Sequence, residues 1–371
     1  LTHKLYLVKF QRTQRACRWR FWAPTVAFDE NSNDLHRDDV DRGDEAHYYT
    51  RNWHMNLMKP YDIALQQILE TGVDRTNKRT GIKTKSIFGM CNRYRLDTEF
   101  FPILARRKVW PKSVFAELLW FLSGSTNNED LKKVGCNFWK PWVDDKWTEE
   151  NGFASGQFGK VYGFQLRHFG GYYGNGIGGP TGSIATSISE EDFDQAGNPL
   201  WDDSKESFKG GVANGFDQLA WVVNRIKEDS SCRRTLWTLW NPQDVAKMRL
   251  PPCHMLYQIL VDDERRMTGI MYQRSCDFPV GVPANIQFYS ALTMMIAQQT
   301  DCIPHEFVHM TADSHIYGDQ IQSVEEYLGL PEMDSPKLKI RKAKDIFSYI
   351  PEDFEITDFV SGPKLEIPVA V

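Results

Sequence analysis

An α+β domain is the fold class that the sequence predicts, and three observations carry it. Apolar segments of strand length are interspersed with helical ones, two of the strands flank a hairpin tip, and no GxGxxG follows a strand. The last point removes the dinucleotide fingerprint expected of a doubly wound parallel sheet. No internal repeat is present either.

Taken in order, residues 1–55 open with a basic, aromatic run at 12–22 and pass into a polar, acid-rich stretch at 29–44 with no apolar period. This reads as a partly flexible N-terminal appendage ahead of a domain spanning 56–371. The basic run has two readings, contact with nucleic acid or packing on the main domain, and the second is preferred. Residues 61–69 carry apolar side chains at helical spacing, as do 113–122, where Glu117 interrupts an otherwise apolar segment. A carboxylate in that setting needs a reason. Residues 168–215 form an aperiodic insertion holding Gly170, Gly171, Gly174, Gly176, Gly178, Gly179, Gly210 and Gly211, and loops of that length are uncommon unless functional or mobile. Helical period returns at 216–227, and strands are expected at 235–240, 255–261 and 267–273. Asp262-Asp263-Glu264-Arg265 reads as the hairpin tip. Residues 286–299 form a strongly apolar core helix, and 320–328 an amphipathic one.

Composition bounds the function classes. A 371-residue chain with 41% apolar and 13% aromatic residues has ample material for a buried core. Its net charge of −5 argues against a nucleic-acid coat, though a local basic pocket stays possible. No apolar run is long enough to span a membrane, and the first residues are too short and mixed for a signal peptide, so a cytoplasmic setting is expected. The seven cysteines (Cys17, Cys91, Cys136, Cys232, Cys253, Cys276, Cys302) are scattered and lack a CxxC pair, favouring neither a disulfide framework nor a zinc site. No metal is expected.

The strongest local signal is Leu250-Pro251-Pro252-Cys253-His254, which sets one thiol between a rigid proline pair and an imidazole. A thiolate nucleophile needs nearby positive charge or hydrogen-bond donors, and Arg233-Arg234 and Arg274-Ser275 are candidates. The competing reading is a buried small hydrophobe. Downstream follow Gln273-Arg274-Ser275-Cys276-Asp277, Gly281-Val282-Pro283-Ala284-Asn285-Ile286 and Asp313-Ser314-His315-Ile316-Tyr317. With Arg79-Thr80-Gly81, Ser86-Ile87-Phe88-Gly89, the Glu117-Leu118-Leu119-Trp120 helix, Val161-Tyr162-Gly163 and the closing Pro368-Val369-Ala370-Val371, this order resembles the thymidylate synthase family, including its pyrimidine-nucleotide hydroxymethylase branch. The likeness covers about residues 60 to 371 apart from the insertion.

The resemblance implies a mixed sheet flanked by helices and a homodimer formed through the sheet face. It implies deoxyuridine monophosphate (dUMP) as substrate and 5,10-methylenetetrahydrofolate as one-carbon donor. Cys253 matches the nucleophile that adds to C6 of the pyrimidine and makes C5 reactive. Arg79, Arg274 and Ser275 match phosphate-binding positions in one subunit, and Arg233 and Arg234 those reaching in from the partner. Asn285 matches the reader of the base, since an amide pairs with O4 and N3–H of uracil where a carboxylate would favour cytosine. It also reads as a helix-start residue after Pro283. His315 and Tyr317 match the sugar-binding positions, or else are satisfied core polar groups. Glu117, Tyr162 and His254 match the proton-handling network, with burial expected to raise the Glu117 pKa. Gln258 and Asp277 match polar positions near base and pterin. Trp139 and Trp142 match the folate-side wall, or simple core. Arg107 and Lys108 fall where basic residues meet the folate tail, with Leu250, Gly281 and the terminal Val371 completing the folate site.

Several residues depart from the usual synthase pattern. Leu166 stands in place of a Trp, Ala284 of a Phe, Trp110 of a His and Ala312 of a Gly, and Gly318-Asp319-Gln320 replaces the usual residues after Tyr317. Lost bulk at Ala284 would open room for water or retune the pterin contact, and water would turn the methylene intermediate into a hydroxymethyl group and leave tetrahydrofolate intact. On these departures the first expectation is a deoxyuridylate hydroxymethylase, with thymidylate synthase and then a cytidylate hydroxymethylase as alternatives. Making a modified deoxynucleotide for viral DNA would suit the first. Trp139 and Val371, which shield the methylene and close the site, are retained and pull the other way. A non-catalytic nucleotide-binding or RNA-binding relic, or a purely structural dimer, would not need Cys253, Glu117 and Asn285 together.

Overall fold

The computed structural model describes residues 57–76, 78, 81–96, 100–171, 173 and 215–369, with the backbone alone of two short strands within 201–208. The chain divides into Leu1–His47 and Tyr48–Val371, and every described residue belongs to the second unit. The expected appendage and most of the glycine-rich insertion lie outside the described residues. The insertion leaves and rejoins the domain at one place, because Phe169 and Phe216 exchange backbone hydrogen bonds of 3.0 and 2.9 Å.

The strands are β1 (Val73–Thr76), β2 (Lys83–Arg95), β3 (Trp201–Asp202), β4 (Ser207–Phe208), β5 (Leu236–Thr238), β6 (His254–Val261), β7 (Arg266–Asp277), β8 (Ile303–Tyr317), β9 (Lys337–Ile340) and β10 (Phe354–Thr357). Six of them form a mixed sheet in the order β1-β2-β8-β7-β6-β5, antiparallel throughout except for the parallel pair β7 and β8. A parallel pair needs a long crossover, here the 19-residue helix Gly281–Gln299. That helix is apolar on nearly every side and almost wholly buried, lying between β7 and β8 below and the helix Pro111–Leu122. The expected α+β class and mixed sheet are therefore what the chain forms.

Register fixes which side chains meet. On the helix-covered face Trp237, Tyr257, Met271 and His309 form one row across β5, β6, β7 and β8, with Ile259, Gly269 and Phe307 in the next. Gly269 is required there, because a Cβ would overlap the Tyr257 hydroxyl, which pairs with Thr293 Oγ1 of the crossover helix at 2.5 Å. The opposite face carries Leu236, Leu256, Leu260, Ile270, Tyr272, Val308 and Met310 in the alternate register, with no helix of the described residues spread over it.

Three of the expected helices begin earlier than periodicity alone suggests, at Lys59, Pro111 and Gly281, and two begin slightly later, at Gln218 and Ile321. Pro60 opens Lys59–Thr71 and Pro111 opens Pro111–Leu122, since a residue lacking N–H costs nothing in the first turn. The helix Gln218–Glu228 starts where Asp217 accepts from Ala220 N at 3.0 Å. Asn285 proves not to be a start residue. The crossover helix begins at Gly281, which places Asn285 beyond its first turn, so the helix-start reading fails. The expected strand 235–240 contracts to Leu236–Thr238, and the expected 267–273 grows to twelve residues because its ladder with β8 continues to Asp277.

Candidate active site

Cys253 ends the rigid Leu250-Pro251-Pro252 turn immediately before β6. Arg274, opposite it on β7, donates from Nε to the Pro252 carbonyl and from Nη2 to the Pro251 carbonyl, both at 2.9 Å. The same Nη2 stands 3.7 Å from Cys253 Sγ, and the Cys253 N–H donates to Tyr162 Oη at 2.8 Å. Both neighbours are thus fixed by backbone groups, and the cation beside the sulfur is held in place. The thiol is half-buried, whereas Cys136 and Cys276 are fully buried, so the small-hydrophobe reading suits those two and not Cys253.

Glu117 projects from Pro111–Leu122 into this pocket and accepts from Trp139 Nε1 at 2.6 Å. Its residue keeps some exposed surface, yet the surrounding protein desolvates the carboxyl and lifts its pKa to about 7, against the opposing pull of the Trp139 hydrogen bond. Trp139 in turn stands edge-on to Tyr162 with ring centroids 5.5 Å apart, and Tyr162 edge-on to His254 at 5.3 Å. Burial pushes His254 down to about 4, so its imidazole is neutral near pH 7. Trp142 flanks Trp139 at 6.3 Å in the 3-10 turn Lys140–Trp142. The sequence-derived catalytic quartet of Cys253, Glu117, Tyr162 and His254 is therefore one connected cluster.

Asn285 meets the cluster at His254, with which it shares a side-chain hydrogen bond, and is held from behind by a polar relay. Gln273 Nε2 donates to Asn285 Oδ1 at 3.0 Å and to the Ser275 carbonyl at 3.1 Å, which leaves Gln273 Oε1 paired with His309 Nε2 at 2.9 Å. His309 is fully buried, and burial lowers its pKa to about 3. As a neutral ring facing a carbonyl-type oxygen, it carries its proton on Nε2. Neither Gln273 nor His309 stood out in the sequence as a site residue. The relevant signal was two polar residues on the buried face of their strands.

At the far end of β8, His315 and Tyr317 are buried edge-to-face at 5.0 Å, and Asp313 is pinned by Arg75 Nη1 at 2.6 Å. Ser275 pairs across the ladder with Asp313. Asp277 ends β7, and burial raises its pKa to about 6 although Gln320 Nε2 donates to it at 3.1 and 3.3 Å. Gly281 opens the crossover helix near Asn285, and Leu250 packs against the core. Arg107 is buried and donates to the Pro279 carbonyl at 2.8 Å, leaving Lys108 as the exposed cation of that pair. Arg233 and Arg234 are exposed ahead of β5, on the outer edge of the sheet, and Gln258 lies there too, donating to the Arg233 carbonyl at 2.9 Å. Arg79 and Val371 fall outside the described residues. Among the described residues no group of three or more His, Cys, Asp or Glu side chains is arranged to hold a metal ion. No described helix is long and apolar enough to cross a membrane.

A family model described as thymidylate synthase matches residues 59–371, the stretch that contains every element of this cluster. The chain belongs to the thymidylate synthase family. It is 37% identical over 311 residues to the thymidylate synthase of Human herpesvirus 8 type P, covering 83% of this chain and 82% of that protein. It is 34% identical over 319 residues to the thymidylate synthase of Saccharomyces cerevisiae, covering 82% and 94%. Against the bifunctional dihydrofolate reductase-thymidylate synthase of Zea mays it is 36% identical over 311 residues, and there the match spans 53% of the relative, about half its length. Leu166 is buried in the core, and Ala284 is half-buried beside Asn285.

Proposed function

We propose that the chain transfers a one-carbon unit from 5,10-methylenetetrahydrofolate to C5 of dUMP and reduces it there, giving dTMP and dihydrofolate. The observation that carries this reading is the Cys253 thiol fixed beside Arg274, with Glu117, Trp139, Tyr162 and His254 closed around it. The thiolate adds to C6, and the electron density released makes C5 a carbon nucleophile toward the donor. Glu117, poised near neutrality, handles protons as C5 loses its hydrogen and the folate amine departs. Hydride then passes from the released tetrahydrofolate to the exocyclic methylene, leaving dihydrofolate, and the Cys253–C6 bond breaks to restore the ring double bond. Trp139, fixed by Glu117, walls the methylene against water.

A second reading ends in 5-hydroxymethyl-dUMP and tetrahydrofolate, by water capture of the same methylene. It rests on Ala284 and Leu166, and the sequence alone placed it first. The names of the relatives and the enclosed position of Trp139 support reduction better. Incubating the protein with dUMP and methylenetetrahydrofolate decides between them. Stoichiometric dihydrofolate absorbance is expected, and a hydroxymethylated nucleotide without dihydrofolate would refute the reductive reading.

The polar relay supports uracil as the base. With Oδ1 oriented by Gln273, the Asn285 amide presents its NH2 to O4 and its carbonyl oxygen to N3–H. Cytosine presents the inverse pattern and demands a flipped amide, which would set two NH2 groups against each other. Gln273→Leu frees that flip, and the preference for dUMP over dCMP should fall by about tenfold to a hundredfold. Nucleotide dissociation constants measure this, and an unchanged ratio would count against the relay.

The open sheet face supports a homodimer. Leu236, Leu260, Tyr272 and Met310 share it and are 36 to 43% exposed, a contiguous apolar surface that monomers seldom present. Pairing two such faces brings Arg233 and Arg234 of one copy toward the other, where with Arg79, Arg274 and Ser275 they would hold the phosphate. Tyr272→Glu places a charge in that interface and should yield a monomer with little activity. Sedimentation reads the mass, and a fully active monomer would remove the shared site.

A further inference from the structure

The segment 359–369 lies as a strap against residues 105–108 and 320–323. Gly362 N donates to the Ala105 carbonyl and Lys108 N to the Pro363 carbonyl, each at 2.8 Å. Gly362 is needed for this approach, since a Cβ there would collide with the Arg106 carbonyl. Further along, Ser323 Oγ donates to the Glu366 carbonyl at 2.9 Å. The last attachment is Gln320, which is fully buried in the 3-10 turn Gly318–Gln320. Its Nε2 donates to the Pro368 carbonyl at 2.8 Å and to both Asp277 oxygens, while its Oε1 accepts from Tyr317 N at 3.0 Å.

An amide has two N–H hydrogens, and here each goes to a different segment: one to the strap, the other to the carboxylate that ends β7. The carbonyl end is fixed by β8, so the amide cannot flip without losing all three partners. We propose that Gln320 is a positioning residue whose single amide both anchors the 359–369 strap at Pro368 and sets the Asp277 carboxylate on the folate-facing side, so that losing it releases both at once. The part concerning folate rests on the function proposed above. A side chain with two donors and one acceptor fits this three-way junction. Lysine offers no acceptor for Tyr317 N, and a carboxylate no donor for Asp277.

Two variants test this. Gln320→Met keeps length and loses every polar contact, and Gln320→Glu keeps the acceptor while removing both donors and setting a second carboxylate against Asp277. Limited trypsinolysis followed by mass spectrometry reads strap docking at Lys364, which is exposed but sits in the docked segment. Cleavage there should accelerate by about tenfold in either variant, because a protease needs the strap released. In steady-state kinetics the KM for methylenetetrahydrofolate should rise by about tenfold while dUMP dissociation stays within about twofold, a split that general destabilisation would not give. Unchanged cleavage and unchanged folate KM overturn the proposal, as does an equal loss for both ligands. If Gln320→Met is insoluble, Gln320→Glu gives the same readings. If the native chain shows no turnover, the proposed function fails, and the trypsin result with folate binding by fluorescence still decides the role of Gln320.

Discussion

Cys253→Ala is expected to lower kcat by at least about a thousandfold while dUMP still binds. The asymmetry follows from how the site is built. The sulfur supplies the covalent bond, whereas the groups assigned to phosphate, sugar and base (Arg274, His315, Tyr317 and Asn285) are held by contacts that do not involve it. Arg274 donates two hydrogen bonds to the Pro251 and Pro252 carbonyls, and Asn285 is oriented by Gln273. Removing Sγ leaves those anchors standing. Cys253→Ser is the closer test of nucleophilicity, since it keeps a polar atom near the Arg274 Nη2 yet replaces a thiol by a far weaker acid. Both variants should bind dUMP within a few-fold of the native chain by calorimetry and release no dihydrofolate. A Cys253→Ala protein that turns over normally would sink the covalent mechanism.

The residues expected at the site could be singled out because each sits in a short motif whose residue types suit the proposed chemistry. The prolines before Cys253, the carboxylate inside an apolar helix at Glu117 and the amide at Asn285 are chemically conspicuous. What was not legible acts at second remove. Gln273 and His309 belong to different strands that become neighbours only through the parallel β7–β8 ladder, and nothing in either segment announces that a glutamine amide will be trapped between an imidazole and Asn285. Gln320 is similar, because Asp277 and Pro368 reach it from β7 and from the strap. The long strands were hidden for a different reason. β2 runs through Lys83–Arg95 with exposed lysines, Gly89, Asn92 and Arg93, and its pairing with β8 rather than its own pattern makes it a strand. Arg107, expected by resemblance at the folate tail, is buried and donates to the Pro279 carbonyl, a contact that braces the turn after β7.

Glu117→Gln should lose activity by about a hundredfold to ten-thousandfold and become more stable than the native chain at alkaline pH. The stability half follows from linkage. An unfolded Glu117 titrates near 4.5 and the folded one near 7, because burial disfavours the charged form more than the Trp139 hydrogen bond favours it. Below 4.5 both states hold the proton. As pH rises from 4.5 to 7 the unfolded chain releases its proton and the folded chain does not, so stability declines across that window and settles above it at a deficit of about 3 kcal/mol. Glutamine is isosteric, still accepts from Trp139 Nε1 and never ionises, so the slope disappears. Melting temperatures of variant and native chain should therefore coincide near pH 4.5 and separate by several degrees near pH 8, the variant being higher. The kinetic half shares the same cause: a carboxyl that is half-ionised near neutrality can both give and take the proton that C5 chemistry moves, and an amide can do neither. A native pH–rate inflection near 7 that vanishes in Glu117→Gln ties both observations to one group. If the variant keeps native kcat, or if its melting curve follows the native pH dependence, Glu117 is a structural carboxylate and the proton must travel by another route.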